Sequence, residues 1–385
     1  SQVSACFTRW RRGAVGLGVA AAIGAGLALP ATGAGAVAAV QDDILTTAQV
    51  DQVPARVALL RQTRAKVTRF DILWSTVAPT QPANPRNPAD PAYDWSRVDA
   101  VMTQLAAARI VPIVSVYSTP DWAVIRPTPY EFAYNPNAPR PAAFRDFMHA
   151  LAKRYSGTFR NPAAPPARLP RVRHFEIWNE PNLKNFFRLG ARSNLAHYKR
   201  MLNAAYPAIK QANRRAIVIA GVGGPRSSTG QGNVGARQWM RGIVLDRRTR
   251  FDAYSQHIYP ASPPRARVKA FPSWNSVPEI LQTLNRRKRG MKLYITEAGY
   301  TTATTPFRNV RVSVPVQNRY LNQIFQLPAV RSNQVAAVVW FNLQDNVNWP
   351  AGLLFEDGSR KPSFTSFVKF ARRPIPAPLR RELAR

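Results

Sequence analysis

The sequence predicts an α/β protein, a single-domain (β/α)8 TIM barrel, and three observations carry that prediction. From about residue 37 onward, short β-branched or aromatic runs alternate with longer helical patterns, and eight such units follow one another, as a mainly parallel sheet requires. Several strand runs (IVPIVSV, AIVIAGV, VAAVVWF) are almost continuously apolar, which fits strands covered on both faces. An open doubly wound sheet usually has a Gly-rich phosphate-binding first turn; here that turn reads Asp42, Asp43, Ile44.

The expected strands are Val37–Asp42, Lys66–Asp71, Ile110–Val116, Val172–Trp178, Ala216–Val222, Phe251–Ile258, Lys292–Glu297 and Val335–Phe341. The expected helices include Asp94–Ala108, Pro141–Tyr155, Ser193–Ala212, Val234–Leu245, Val277–Arg286, Val314–Gln326 and Lys361–Ala371, the last being the eighth. Two long proline-rich loops, Pro79–Pro91 and Pro120–Pro141, follow strands 2 and 3 and belong to the C-terminal face, where barrels keep their sites; Asn161–Pro170 precedes strand 4 and belongs to the opposite face. The domain reading is a signal peptide over 1–36, the barrel over 37–371 and a loose, basic, Pro-bearing tail over 372–385.

The signal reading rests on Arg9, Arg11 and Arg12 before an apolar run from Gly13 to Leu29, followed by small residues through Ala36. The run is short and rich in Gly and Ala, so no stable membrane span is expected once it is cleaved. Secretion is the expected localisation, with cell-surface association or an uncleaved signal anchor as its variants.

Composition excludes several chemistries. The single cysteine, Cys6, rules out an internal disulfide and a CxxC centre; no HExxH, no P-loop and no GxGxxG after a strand occurs. No metal or organic cofactor is expected. The formal charge is +34, from 54 Lys and Arg against 20 Asp and Glu, yet the cations are scattered along the chain and form no single block. They therefore suggest no nucleic-acid partner.

Glutamate is scarce, with seven in the chain. Two of them, Glu180 and Glu297, end predicted strands 4 and 7, which places both carboxyls at the shared mouth of the barrel. Two facing carboxyls suit glycosidic cleavage, because one protonates the departing oxygen while the other attacks or stabilises the sugar carbon. Their pKa values must be held apart. Arg69, ending strand 2, is the expected cation for Glu297, and Tyr259 a hydrogen-bond donor to the same carboxylate. Glu176 is read as a buried partner of an arginine and His174 as structural.

The string Trp178-Asn179-Glu180-Pro181-Asn182-Leu183 followed by Phe186 and Phe187, together with Thr296-Glu297-Ala298-Gly299-Tyr300, resembles the retaining glycoside hydrolases of clan A, in particular families 39 and 5. The resemblance extends to Arg69, to His257 and Tyr259, and to Trp340 at the end of strand 8. It implies an acid/base role for Glu180, a nucleophile role for Glu297, sugar 2-hydroxyl binding by Asn179 and an aromatic platform at Trp340.

Aromatic rings crowd the expected mouth face, and sugars stack their C–H faces on such rings. Trp74 and Tyr117 join Arg69, Asn179, His257, Tyr259 and Trp340 as expected substrate-binding residues. The function expected is hydrolysis of β-glycosidic bonds in an oligo- or polysaccharide, neutral or acidic, by double displacement. The alternative is a catalytically silent barrel that binds cell-surface or anionic polysaccharide.

Overall fold

The structure is a computed structural model and describes residues 35–380; the expected signal segment, except for its last two residues, lies outside them. Eight parallel strands, β1 (Val37–Gln41), β2 (Val67–Leu73), β3 (Val111–Tyr117), β4 (His174–Ile177), β5 (Ile217–Gly223), β6 (Ala253–Gln256), β7 (Leu293–Ala298) and β8 (Val335–Phe341), close into a barrel in sequence order. The closure is the pairing of β1 with β8, from Val37 opposite Ala337 to Gln41 opposite Phe341. Helices α1 (Val53–Gln62), α2 (Trp74–Val77), α3 (Ser96–Ala107), α4 (Pro141–Arg154), α5 (Ala191–Ala212), α6 (Ala236–Val244), α7 (Val277–Arg287), α8 (Val314–Ile324), α9 (Pro362–Ala371) and α10 (Ala377–Arg380) occupy the connections and the C-terminal segment.

All eight expected strands are present. The helix α1 had no counterpart in the sequence reading, because Val57, Ala58, Leu59 and Leu60 stand together in VPARVALLRQ and blur the one-sided apolar stripe that marks a surface helix. Strand β4 ends one residue earlier than expected, since Trp178 leaves extended geometry with φ of +74°.

The expectation of a loose tail is corrected over 372–380. Lys66 Nζ donates to the Arg373 carbonyl at 3.0 Å, Ile375 packs against the inner barrel cluster, and α10 follows.

Period-two alternation divides the apolar residues into two layers. Val37, Ala39, Val67, Ile113, Ile219, Tyr294 and Val339 belong to the smaller cluster that fills the barrel; a larger one, including Phe70, Trp178, Trp239 and Trp340, lies between barrel and helices. Moving toward the C-terminal ends, the inward positions turn polar. Ala39 is succeeded by Gln41, Val67 by Arg69 and Asp71, and Ile113 by Ser115 and Tyr117. The floor of the mouth is thus the point where the packed apolar interior gives way to a hydrogen-bonded polar layer.

Strand β5 shows how closely barrel and helices fit. Its register shifts between Ala220 and Gly223, and Gly221 adopts φ of +90° with the Tyr254 ring so near that an added Cβ would lie 2.2 Å from it. The Gly221→Ala variant is expected to lose about 3 kcal/mol or more of stability, from positive-φ strain plus overpacking. Gly290→Ala, at φ of +76° but with open space around it, is expected to lose only about 1 kcal/mol. Urea unfolding midpoints of the two variants check the ordering.

Candidate active site

Arg69 stands at the centre of the polar layer and is buried. Its Nε donates to Glu176 Oε2 at 2.6 Å, its Nη1 to Gln41 Oε1 at 2.9 Å and to Glu297 Oε1 at 2.7 Å, and its Nη2 to Ser115 Oγ at 2.9 Å and to Asn179 Oδ1 at 2.7 Å. Asp71 Oδ1 lies 3.1 Å from Nη1. The planar guanidinium therefore joins residues from β1, β2, β3, β4, β7 and the turn after β4, a geometry that its fixed fork of donors permits and an ammonium would not. Burial disfavours the charge on Arg69, but Asp71, Glu176 and Glu297 together raise its pKa well above the ordinary value.

The segment after β4 is held by its own bonds. Trp178 and Glu180 both have positive φ, +74° and +42°, so two sharp backbone turns bracket Asn179. Such strain persists only where the surroundings enforce it. Tyr198 Oη donates to the Ile177 carbonyl at 2.8 Å, Trp178 Nε1 to the Phe186 carbonyl at 2.8 Å, and Gly224 N to Asn182 Oδ1 at 2.6 Å. Gly224 is needed for close approach, since an added Cβ would lie 2.5 Å from Leu183 Cδ1 and 3.0 Å from Glu180 Cδ.

Glu180 and Glu297 meet across the mouth. One side-chain ligand atom from each of Glu180, His257 and Glu297 lies within 4.8 Å of the others, so the two carboxylates face each other closely enough to act on one sugar. Their partners differ. Glu297 accepts from Arg69 on Oε1 and from Tyr259 Oη at 2.8 Å on Oε2, whereas Glu180 has His257 Nδ1 at 2.8 Å. His257 Nδ1 is also 3.5 Å from Glu297 Oε2.

The electrostatics follow from these contacts. Burial raises Glu180 to about 8; Arg69 opposes the rise and Asp71 adds to it. Burial also raises Glu297, to about 7, with His257 and Arg69 holding it down. Burial lowers His257, with the charge of Glu297 opposing, and burial raises Tyr259, which stays a donor. The same three side chains have the composition of a metal triad, but the guanidinium of Arg69 already supplies the cation beside Glu297.

The expected residues fare unequally. Arg69, Asn179, Glu180, His257, Tyr259 and Glu297 come together as described, and Tyr117 reaches the same layer, its Oη donating to Asp71 Oδ2 at 3.4 Å. Trp74 and Trp340 are corrections. Trp74 is fully buried against Trp122, Phe144 and Phe147 in the helix-facing layer. Trp340 is one residue out of phase, in the outer cluster with its Nε1 bonded to the Ala351 carbonyl at 2.8 Å. Alternation along β8 points Phe341 inward instead, and its ring neighbours Trp349, which packs edge-on against Tyr259 with centroids 4.9 Å apart.

Gln41, Asp71, Ser115 and Phe341 were missed by sequence reasoning. Asp71 and Ser115 are inward positions one strand period from Arg69 and Tyr117, so counting by two along β2 and β3 would have found them; β1 offered no inward residue to count from, and on β8 the count began one residue out of phase at Trp340. Tyr134, stacked on Phe186 at 5.0 Å and edge-on to Tyr117, comes from the loop after β3 and carries no such signal.

Comparison with known proteins places this geometry. Residues 83–371 match the model of glycosyl hydrolases family 39; among curated proteins no sequence matches. Among solved structures, a family 39 β-xylosidase from Caulobacter crescentus is similar at 19% identity and a TM-score of 0.62, over 87% of this chain and 72% of that one. A family 39 glycoside hydrolase from the gut symbiont Bacteroides cellulosilyticus WH2 gives 19%, 0.58, 88% and 64%, so the chain spans under two thirds of that protein's length. An exo-β-1,4-mannosidase from Opitutaceae bacterium strain TAV5 gives 16%, 0.56, 89% and 60%. The similarity of these structures is one of fold, whereas the family model covers about three quarters of the sequence, and on that match the chain belongs to glycosyl hydrolase family 39.

Proposed function

We propose that the protein hydrolyses β-glycosidic bonds of an oligo- or polysaccharide by double displacement, with Glu297 as nucleophile and Glu180 as acid/base. The observation that carries this assignment is the unequal company of two carboxyls within 4.8 Å. Glu297 is bonded to a cation and a phenol, which favour its ionised form, while Glu180, beside the His257 imidazole, is raised by burial to about 8 and so stays protonated near neutrality. In the first step a Glu297 oxygen bonds to the anomeric carbon as the glycosidic bond breaks, and the Glu180 proton passes to the leaving oxygen. In the second, Glu180 takes a proton from water, whose oxygen bonds to the anomeric carbon and expels Glu297.

Asn179 is a positioning and binding residue. Because its Oδ1 accepts from Arg69, its amide nitrogen is left to donate, and a sugar hydroxyl at the mouth is the acceptor we assign to it. The aromatic walls, Tyr117, Tyr134 and Phe186 on one side and Tyr259, Phe341 and Trp349 on the other, offer apolar faces to the sugar ring. We further infer export, on the basic, apolar and small-residue order of residues 9–36. Among the described residues no helix is long and apolar enough to cross a membrane.

Three predictions follow the chemistry. Glu297→Gln is expected to lower kcat on an aryl β-glycoside by at least about a thousandfold, and Glu180→Ala with added azide to release the β-glycosyl azide with partial recovery of rate; product NMR reads both. The kcat/KM profile of the wild type is expected to be bell-shaped, falling below about 7 as Glu297 protonates and above about 8 as Glu180 ionises. Tyr259→Phe removes a bond that favours the ionised nucleophile, so its acid limb is expected to move to higher pH and kcat to fall about tenfold to a hundredfold, the range for losing a charge-assisted hydrogen bond. An unmoved limb would contradict the assignment.

A further inference from the structure

The +34 charge is scattered along the sequence, but half of it comes from the connections on one face of the barrel. The connections that lead from a helix into the next strand, together with the segment after α9, lie on the N-terminal face of the barrel, opposite the mouth. These are residues 63–66, 108–110, 155–173, 213–216, 245–252, 288–292, 325–334 and 372–380, and they carry nineteen Lys and Arg against two acids, Asp246 and Asp252. The strand-to-helix connections of the mouth face carry thirteen against eleven, in more than twice as many residues. The cationic excess of the connections is thus concentrated on the face away from Glu180 and Glu297.

Helix dipoles account for part of this, since cations favour helix C-termini. They do not account for residues 155–173, a loop with four arginines and no acid, nor for the near absence of acids elsewhere on the face. Both acids are engaged, Asp246 with Lys199 at 2.8 Å and Asp252 with Lys210 at 2.7 Å. Several of the cations are held by carbonyls instead. Arg247 donates to the Arg286 and Arg287 carbonyls at 2.7 Å, and Arg171 to the Ser156 carbonyl at 2.9 Å. Backbone anchors of this kind orient a guanidinium without cancelling its charge.

We propose that this face docks the protein on an anionic lipid bilayer, with the catalytic mouth turned away from the membrane. Two features select a lipid surface over a linear polyanion. The cationic segments come from every connection around the barrel axis, so they present a ring to a plane, whereas a linear polymer needs a stripe or groove. Within the ring lies a cavity of about 280 Å³ lined by Arg109, Arg171 and Arg173 together with Met102, Ile110 and Val172; guanidinium and apolar groups in one cavity suit an amphiphile with an anionic headgroup.

The test is flotation of the full-length chain with vesicles of phosphatidylcholine alone or with about one third phosphatidylglycerol, at low and at 0.5 M salt, a concentration that screens surface charge. Binding is expected only with the anionic vesicles and to be lost at high salt. The variant Arg109→Gln/Arg214→Gln/Arg215→Gln/Arg289→Gln, all exposed positions, is expected to bind at least tenfold more weakly with unchanged kcat on a soluble aryl glycoside. A mouth-face control, Arg226→Gln/Arg265→Gln/Arg267→Gln/Lys269→Gln, removes the same charge and is expected to bind as wild type. The proposal is overturned by equal binding to both vesicle types, by equal loss in the two variants, or by capture of heparin or duplex DNA through these arginines with no vesicle binding.

Discussion

One buried cation organises the site. Arg69 reaches donors' distance of five side chains drawn from β1, β3, β4, β7 and the turn after β4, and a buried guanidinium is tolerable only when its charge and its donors are matched. That requirement dictates an inward polar layer above the apolar filling of the barrel. It also fixes the two halves of the catalytic pair unequally: Glu297 is tied to Arg69 directly, while Glu180 is linked to the same cluster only through His257. The difference in their proton affinities is therefore a property of the scaffold as much as of the two residues.

The segment 178–182 illustrates the cost of aiming a side chain. Two non-glycine residues at positive φ are unfavourable locally, and the bonds from Ser115, Gly224 and Val234 to this segment, with that from Tyr198 to Ile177 just before it, hold them there. Sites that place reacting groups accurately store strain in this way, and neighbouring packing offsets it. The loop glycine Gly224 belongs to the same device, because its missing side chain is the space that Leu183 and the Glu180 carboxyl occupy.

Much of this was legible in the sequence. Apolar runs interleaved with helical patterns give the eight strands, since buried parallel strands need both faces apolar. The two glutamates at the ends of β4 and β7, and Arg69, His257 and Tyr259 beside them, were legible because strand ends converge at one mouth. What could not be read was phase and packing. Trp340 and Phe341 are adjacent aromatic residues, and only the register with β1 decides which of them faces inward. Trp74 follows β2 directly, yet a helical turn carries it behind the barrel wall. The charge asymmetry was invisible because the basic connections are interleaved along the chain with the mixed ones, and the fold alone separates them.

The central claim is that Glu297 forms the bond to the sugar. Incubation with a 2-deoxy-2-fluoro-β-glycoside carrying a good leaving group, followed by peptide mapping in a mass spectrometer, tests it directly, because the fluorine slows release of a covalent intermediate. The account predicts one glycosyl adduct, on Glu297, absent from Glu297→Gln. An adduct on Glu180 or Asp71, or turnover with inversion at the anomeric carbon and no adduct, would contradict it.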